Sequence, residues 1–350
     1  MKTAIAIDSL LFRDESIFLV ELILNLFPNS EFYTIAHKQG GILGTIETRP
    51  IVSSFLAHRA KDASVFKKNF WIMPSAVKGI PLHPSIEKVI VISRGYIHGL
   101  NLPEHVSRYL YILDWNLIDQ RELGAIQKMF APYVNDWREK ALTKYPKIAI
   151  SSEALKEQLE LPNAEVIAPT YRTEEYPFVK DEDHNFVFTH HLLYTHGLSK
   201  DEFKSVVNFL LSKNEMVRVL GPDAEYKTLL PANEKLEFGG DHCEATSAMY
   251  SHQAKAIWDF SKQFFPSKAF GAFSTGRPAV VRDIKVNREY LTQGAHFAKD
   301  FGKDLERVYG EVEASYGAVD RRVLRRFGLK WNERLFKSRM VKFLDRAEES

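Results

Sequence analysis

Thr3-Ala4-Ile5-Ala6-Ile7, the loop of residues 8–15, and Ser16-Ile17-Phe18-Leu19-Val20-Glu21-Leu22-Ile23-Leu24-Asn25-Leu26 read in succession as strand, loop and helix. Asp14 or Ser16 can cap that helix by accepting from its unpaired N–H groups, and Pro28 stands just past its end, where a helix does not easily continue. Phe32-Tyr33-Thr34-Ile35 is then a second strand. Apolar runs at 89–92, 110–113 and 148–150 repeat the theme, with helix-like segments at 117–128 and 153–159. Strands rich in β-branched residues alternating with helices predict a parallel sheet covered on both faces.

Outward from that half, Pro169 closes the run 165–168, and the polar stretch 172–183 is the best linker between domains. The alternation restarts with a strand at 186–189, a helix at 200–211, strands at 217–220 and 236–238, a helix at 246–252 and a strand at 256–260. A helix opened by Ser267 follows, then the turn Gly276-Arg277-Pro278, a strand at 279–281 and a helical tail from Lys303 onward. The expected fold class is α/β, with two doubly wound Rossmann-like domains facing across a cleft. Such sheets bind ligands outside the carboxyl ends of their strands, so the cleft is the expected site.

The 350 residues suit two domains of roughly 150 each. With 45% hydrophobic and 26% charged residues, both can be well filled. A net charge of +2 is too mild to imply nucleic acid, and no nucleic-acid partner is expected. The single cysteine, Cys243, cannot form an internal disulfide, which fits a reducing, cytoplasmic compartment. The apolar stretch 17–27 is interrupted by Glu21 and Asn25 and is shorter than the roughly 20 residues that span a bilayer. Asp8, Asp14 and Glu15 precede it where a signal peptide would be basic, so it reads as a buried helix.

Several segments carry a family resemblance. Ile7-Asp8-Ser9-Leu10 through Leu26-Phe27-Pro28-Asn29-Ser30-Glu31-Phe32-Tyr33-Thr34 resembles the opening of bacterial family-four retaining glycosyltransferases, which have the GT-B fold. Ile150-Ser151-Ser152-Glu153-Ala154-Leu155 and the run from Glu165 to Pro169 are similar to the exit from their N-terminal lobe. Gly221-Pro222-Asp223 and Leu236-Glu237-Phe238-Gly239-Gly240 resemble turns of their second lobe. The most specific piece, Pro266-Ser267-Lys268-Ala269-Phe270-Gly271-Ala272-Phe273-Ser274-Thr275-Gly276-Arg277-Pro278, is similar to their donor-binding helix. Phe327-Gly328-Leu329-Lys330-Trp331-Asn332-Glu333-Arg334 resembles the entry to a final helix that crosses back to the first lobe. The resemblance implies an acceptor-side domain at 1–170, a donor-side domain at 171–328 and a crossing helix at 329–350. It also implies a nucleotide-sugar co-substrate, with no other cofactor.

Sugar transfer from a nucleoside diphosphate needs a grip on the diphosphate, because the leaving charge is the main barrier. Ser267 and Lys268 open the second-domain helix, so its first N–H groups and the Lys268 ammonium could hold that charge; the plainer reading is an N-cap beside a solvated lysine. His191, His196 and Gly221 fall where the resemblance puts further donor contacts, although neutral histidines would serve poorly. The family's two donor-site glutamates fall on Gln263 and Gly271, so two charge-assisted contacts are lost. Its glycine-rich first loop aligns with Asp14-Glu15-Ser16-Ile17, whose carboxylates would repel a diphosphate.

Asp8, Asp114 and Gln263 are the catalytic candidates; Asp8 serves equally well as a helix cap, and Trp115 as core or as a sugar platform. His190, His191 and His196, with His242 and Cys243, suggest a metal, but their spacing matches no known ligand pattern and none is expected.

Residues 321–342 hold nine Lys or Arg and one acid, Glu333, interleaved with apolar residues. This tail either rests on an anionic inner-membrane face carrying a lipid-linked acceptor or packs as the crossing helix with its charges in water. Two functions are therefore expected. One is a glycosyltransferase of cell-surface polysaccharide or glycolipid synthesis, with a glycan or lipid-linked acceptor. The other is a non-catalytic pseudo-glycosyltransferase acting as a glycan-binding or partner module.

Overall fold

The computed structural model of the chain describes residues 2–59, 62, 64–115, 123–176, 178, 189–221, 223–240, 244–318 and 320–345. The chain divides into two compact units, the first formed by Met1–Pro169 with Arg334–Ser350 and the second by Thr170–Glu333.

In chain order the first unit contains β1 (Thr3–Leu10), α1 (Glu15–Leu26), β2 (Glu31–His37), β3 (Ile51–Ser53), α2 (Ser64–Lys68), α3 (Met73–Lys78), β4 (Lys88–Ser93), β5 (Ser107–Ile112), α4 (Ala125–Leu142), β6 (Ile148–Ile150), α5 (Glu153–Gln158) and β7 (Glu165–Val166). The strands form one parallel sheet in the order β3-β2-β1-β4-β5-β6-β7. Central β4, Lys-Val-Ile-Val-Ile-Ser, is buried throughout, as a strand covered on both faces must be. Asp14 caps α1 by accepting from the N–H groups of Ser16 and Ile17. The helix ends at Phe27, just before Pro28, and the Phe27 N–H turns back to the carbonyls of Ile23 and Leu24.

The second unit runs β8 (His190–Tyr194), α6 (Lys200–Ser212), β9 (Val217–Leu220), α7 (Asp223–Tyr226), β10 (Leu236–Phe238), α8 (Glu244–Gln253), β11 (Ala254–Asp259), α9 (Ser267–Ser274), β12 (Ala279–Arg282), α10 (Lys285–Tyr290), β13 (Ala295–Ala298), α11 (Asp304–Ala318) and α12 (Arg321–Gly328). Its parallel sheet has the order β10-β9-β8-β11-β12-β13. Each sheet reverses direction of strand addition once, at β1/β4 and at β8/β11. Ligands of doubly wound sheets sit outside the carboxyl ends at such switch points.

The basic tail is not one helix. Arg321–Gly328 packs on α9, where Phe327 meets Phe270 and Phe273, and the Arg325 guanidinium donates to the Ser274 carbonyl at 2.8 Å. After a short turn, α13 (Glu333–Asp345) lies on the first unit, burying Phe336, Met340, Phe343 and Leu344. Phe336 meets Tyr111 at 6.1 Å between ring centroids and Phe343 meets Tyr109 at 6.2 Å. Each such side chain contributes about 1.5–3 kcal/mol on burial, which is the packed alternative for this tail.

Other expectations shift. The helix expected at 117–128 is α4, beginning at Ala125, and residues 116–122 lie outside the described residues. The strand expected at 186–189 is β8, starting at His190, with 186–188 outside them. Of the linker expected at 172–183, residues 177 and 179–183 lie outside them, while Tyr176 is packed into the second unit rather than solvated. Strands β3 and β13 are too short and mixed in character to have announced themselves. Among the described residues no helix is long and apolar enough to cross a membrane.

Candidate functional site

At the second unit's switch point, β8 delivers Tyr194, Thr195 and His196, and β11 delivers Asp259 directly opposite Tyr194. The chain then runs through half-buried Gln263 to α9. Pro266, with its fixed φ, occupies the capping position, and Ser267 is the first helical residue rather than the cap. Pro266 offers no side-chain cap and the Ser267 N–H donates to the Phe265 carbonyl at 2.9 Å, so what this end of the helix presents to an anion is the positive end of its dipole. The Lys268 side chain is only 4% exposed, and its ammonium lies 5.3 Å from the centroid of the buried Tyr194 ring. Burial pushes the Tyr194 hydroxyl up to about 12. A lysine in the first helical turn is on the wrong end for the helix dipole.

Gly221 follows β9 beside Thr195. Its φ of +149° and a close approach to the Thr195 side chain both demand glycine. Its N–H donates to the Gly240 carbonyl at 3.0 Å. Gly221→Ala should therefore lower the stability of the second unit by about 2–3 kcal/mol, read as a shift in its urea midpoint.

The histidines separate. His196 sits exposed on the turn after β8, as a site at the strand ends requires. His190 and His191 are strand residues, wholly buried, at the opposite end of β8. The reason is aromatic packing: His191 lies edge-on to Trp258 and near Tyr309, and the Trp258 indole N–H donates to its Nδ1 at 3.0 Å. Burial lowers both imidazoles to about 4, leaving them neutral at pH 7.

His191, Glu215 and Glu313 each bring a potential ligand atom within 4.8 Å of the others. Because Nδ1 accepts from Trp258, the neutral ring carries its proton on Nε2 and offers no lone pair there. The Lys255 ammonium, 2.6 Å from Glu215, supplies the neutralising charge. This is an ion-pair cluster. His242 and Cys243 lie outside the described residues.

Gly271 lies in the middle of α9, and a Cβ there would run into Cε1 and Cζ of Tyr176 and stand 2.9 Å from its hydroxyl. Tyr176 is buried against Tyr171, which stacks on Phe270 and shares a 2.5 Å hydrogen bond with Ser274. The position that the resemblance assigns to a ribose-binding acid is therefore filled by a tyrosine ring.

In the first unit, Asp8 is fully buried near the end of β1. Its carboxylate accepts from the backbone N–H groups of Arg94 at 2.5 Å, Tyr96 at 3.0 Å and Ile97 at 2.9 Å. Burial raises its pKa, against the pull of those donors. Asp8 caps the loop after β4, not the helix that follows it in sequence. The Arg94 guanidinium pairs with Asp14 at 3.0 Å and reaches Asp114 at 3.9 Å. Burial works against that charge, but Asp14, Asp114 and Asp8 outweigh it and raise the pKa. Asp114, half-buried after β5, accepts from the Trp115 N–H at 2.7 Å. The first loop's carboxylates are thus engaged, Asp14 with α1 and Arg94.

Behind these groups His98 stacks on Trp115 at 5.2 Å and on Trp137 at 6.4 Å between centroids. Its ring bridges Ser93 Oγ and the Arg138 carbonyl, each at 2.9 Å. Burial drives its pKa down to about 3. A depressed histidine gives stability that is complete above its unfolded pKa of about 6.5 and drains as the pH falls toward the folded value. The first unit should lose about 2 kcal/mol between about pH 7.5 and pH 5. His98→Asn should flatten that dependence, as measured by urea midpoints at the two pH values. His98, Arg94, Arg138 and Tyr176 were not legible as site residues; the Ser93-Arg94-Gly95 break after an apolar run was the available signal.

No protein-family model and none of the curated proteins matches the chain. Solved structures do. Sucrose-phosphate synthase from Thermosynechococcus elongatus matches with a TM-score of 0.62 and 10% identity over 99% of both chains. Anabaena Alr3699/HepE in complex with UDP matches with a TM-score of 0.67 and 10% identity over 99% of this chain and 100% of that one, and HepE has also been solved with UDP-glucose. The lipopolysaccharide outer core galactosyltransferase WaaB matches with a TM-score of 0.60 and 12% identity over 99% of both chains. At these identities the likeness speaks of fold: the chain has the GT-B fold of two Rossmann-like domains found in glycosyltransferases.

Proposed function

We propose that the protein is a nucleotide-sugar-dependent glycosyltransferase whose second unit takes the donor diphosphate at the start of α9. The buried Lys268 in that helix's first turn, at the carboxyl end of the sheet's switch point, is the observation that carries this reading. The positive end of the α9 dipole and the ammonium would stabilise the charge that grows on the leaving phosphate as the bond to the sugar breaks. Exposed His196 and the backbone beside Gly221 line the same strand ends, whereas buried His191 is left out of the donor set. Gln263 can hydrogen-bond a sugar hydroxyl without the charge of the glutamate it replaces.

On the first unit, Asp114 is the better partner for an acceptor hydroxyl than Asp8, whose carboxylate is already committed to three N–H groups. Retention at the sugar carbon and a role in cell-surface polysaccharide or glycolipid assembly extend the same reading. That HepE has been solved with UDP and with UDP-glucose supports a uridine donor.

A specific observation also favours a non-catalytic binding module: Tyr176 fills the space above Gly271 where a ribose-holding carboxylate would stand. UDP release from a panel of nucleotide sugars, with glycan and lipid acceptors, separates the two. Turnover supports the transferase. Donor binding without release from any of them supports the module, and neither binding nor release overturns both.

A further inference from the structure

Arg282, the last residue of β12, sends its guanidinium back across two neighbouring strands, a span of about 10 Å. Its Nε donates to the Phe260 carbonyl at 2.9 Å, just past the end of β11. One Nη donates to the Gly197 carbonyl at 3.1 Å, on the turn after β8. Both Nη atoms also donate to Glu202 Oε1 at 3.2 Å. The side chain is 14% exposed and lies over the Phe301 ring, 4.7 Å from its centroid. Its backbone is pinned as well, since the buried Asn287 amide donates to the Arg282 carbonyl at 2.8 Å.

The two carbonyls belong to the chain segments that build the donor end of the second unit. Gly197 follows His196, and Phe260 opens the run through Gln263 to Ser267 and Lys268. The segments meet closely: Gly197 has a φ of +77°, and a Cβ there would stand 2.7 Å from Ser261 Cα. Glu202 brings in a third element. Its Oε2 accepts from the Ser199 N–H at 2.8 Å and closes the capping box of α6, while Oε1 takes the guanidinium. One planar fork therefore holds the exits of β8 and β11 and the start of α6 in a single geometry.

We propose that Arg282 is a positioning residue for the donor site, setting the distance between the His196 turn and the segment that leads to Lys268. This role rests on the donor reading of the α9 start. Arg282 acts through the backbone it holds, because its charge is met by Glu202 and its donors by protein acceptors. A guanidinium that met the diphosphate itself would behave in the opposite way at Glu202, since removing that carboxylate would release its charge to the ligand.

UDP affinity of the full chain is measured by isothermal titration for the wild type, Arg282→Lys, Arg282→Met and Glu202→Gln, under conditions where urea midpoints show each variant folded. Arg282→Lys keeps the charge without the fork, so it and Arg282→Met should both weaken UDP binding about tenfold, as a loosened site must be ordered on binding. Glu202→Gln should weaken it about threefold. Without ligand, hydrogen exchange in Arg282→Lys should quicken at Leu198 and Ser261, whose N–H groups donate to the Thr195 carbonyl and to Asp259 Oδ1, each at 3.1 Å. Midpoints that shift while the affinity of the folded variants stays at the wild-type value would mark a purely structural arginine and overturn the proposal. Full affinity in Arg282→Lys, unchanged exchange at Leu198 and Ser261, or tighter binding by Glu202→Gln would each do the same. A wild type that binds no UDP overturns the donor reading, and the positioning role with it.

Discussion

Arg138→Ala is expected to lower the stability of the first unit by about 3–5 kcal/mol, as read from its urea midpoint. The side chain is 1% exposed. Its Nε donates to the Gly95 carbonyl at 2.7 Å, one Nη to the Trp115 carbonyl and the other to Asn135 at 3.2 Å. The guanidinium also lies over the rings of Tyr96 at 4.9 Å and Trp115 at 4.2 Å. Truncation orphans two buried carbonyls and opens a cavity beside His98 and Trp115. Those carbonyls belong to the loops after β4 and β5, which carry Arg94 and Asp114. Arg138→Lys keeps the charge but not the fork, and should recover less than half of the loss. A loss under about 1 kcal/mol for Arg138→Ala would show that the loops hold themselves.

Lys268→Met should weaken UDP binding about tenfold to a hundredfold in isothermal titration while leaving the second unit folded. Methionine keeps the apolar stem over Tyr194 and removes the charge. A hydrogen bond to a charged group contributes about 1.5–3 kcal/mol, which sets the size of the effect. If Lys268 were a purely structural cation, the substitution would shift the urea midpoint and leave UDP affinity where it was.

The alternation of the two halves was legible because central strands such as β4 and β11 are short apolar runs bounded by polar loops, and that pattern has few other solutions. The α9 start was legible for a local reason, a proline followed by a helical run. The membership of His190 and His191 in β8 was not legible, because two histidines look like loop residues until aromatic partners from β11 and α11 are known to bury them. Asp8 and Arg94 are 86 positions apart and become partners only when β1 and β4 pair. Tyr176 sat inside an apparent linker, and nothing local says that its ring will close over Gly271. Hydrophobic period marks elements; it does not mark which side chain from a distant segment fills a position that a glycine leaves open.

Amide hydrogen exchange across the full chain, with and without saturating UDP, tests most directly whether the start of α9 holds the donor. The account predicts slowed exchange centred on residues 267–269, extending to 195–197 and 221, with the first unit's loops unchanged. Unchanged exchange at 267–269, or protection confined to the loops that carry Asp8, Arg94 and Asp114, would contradict it.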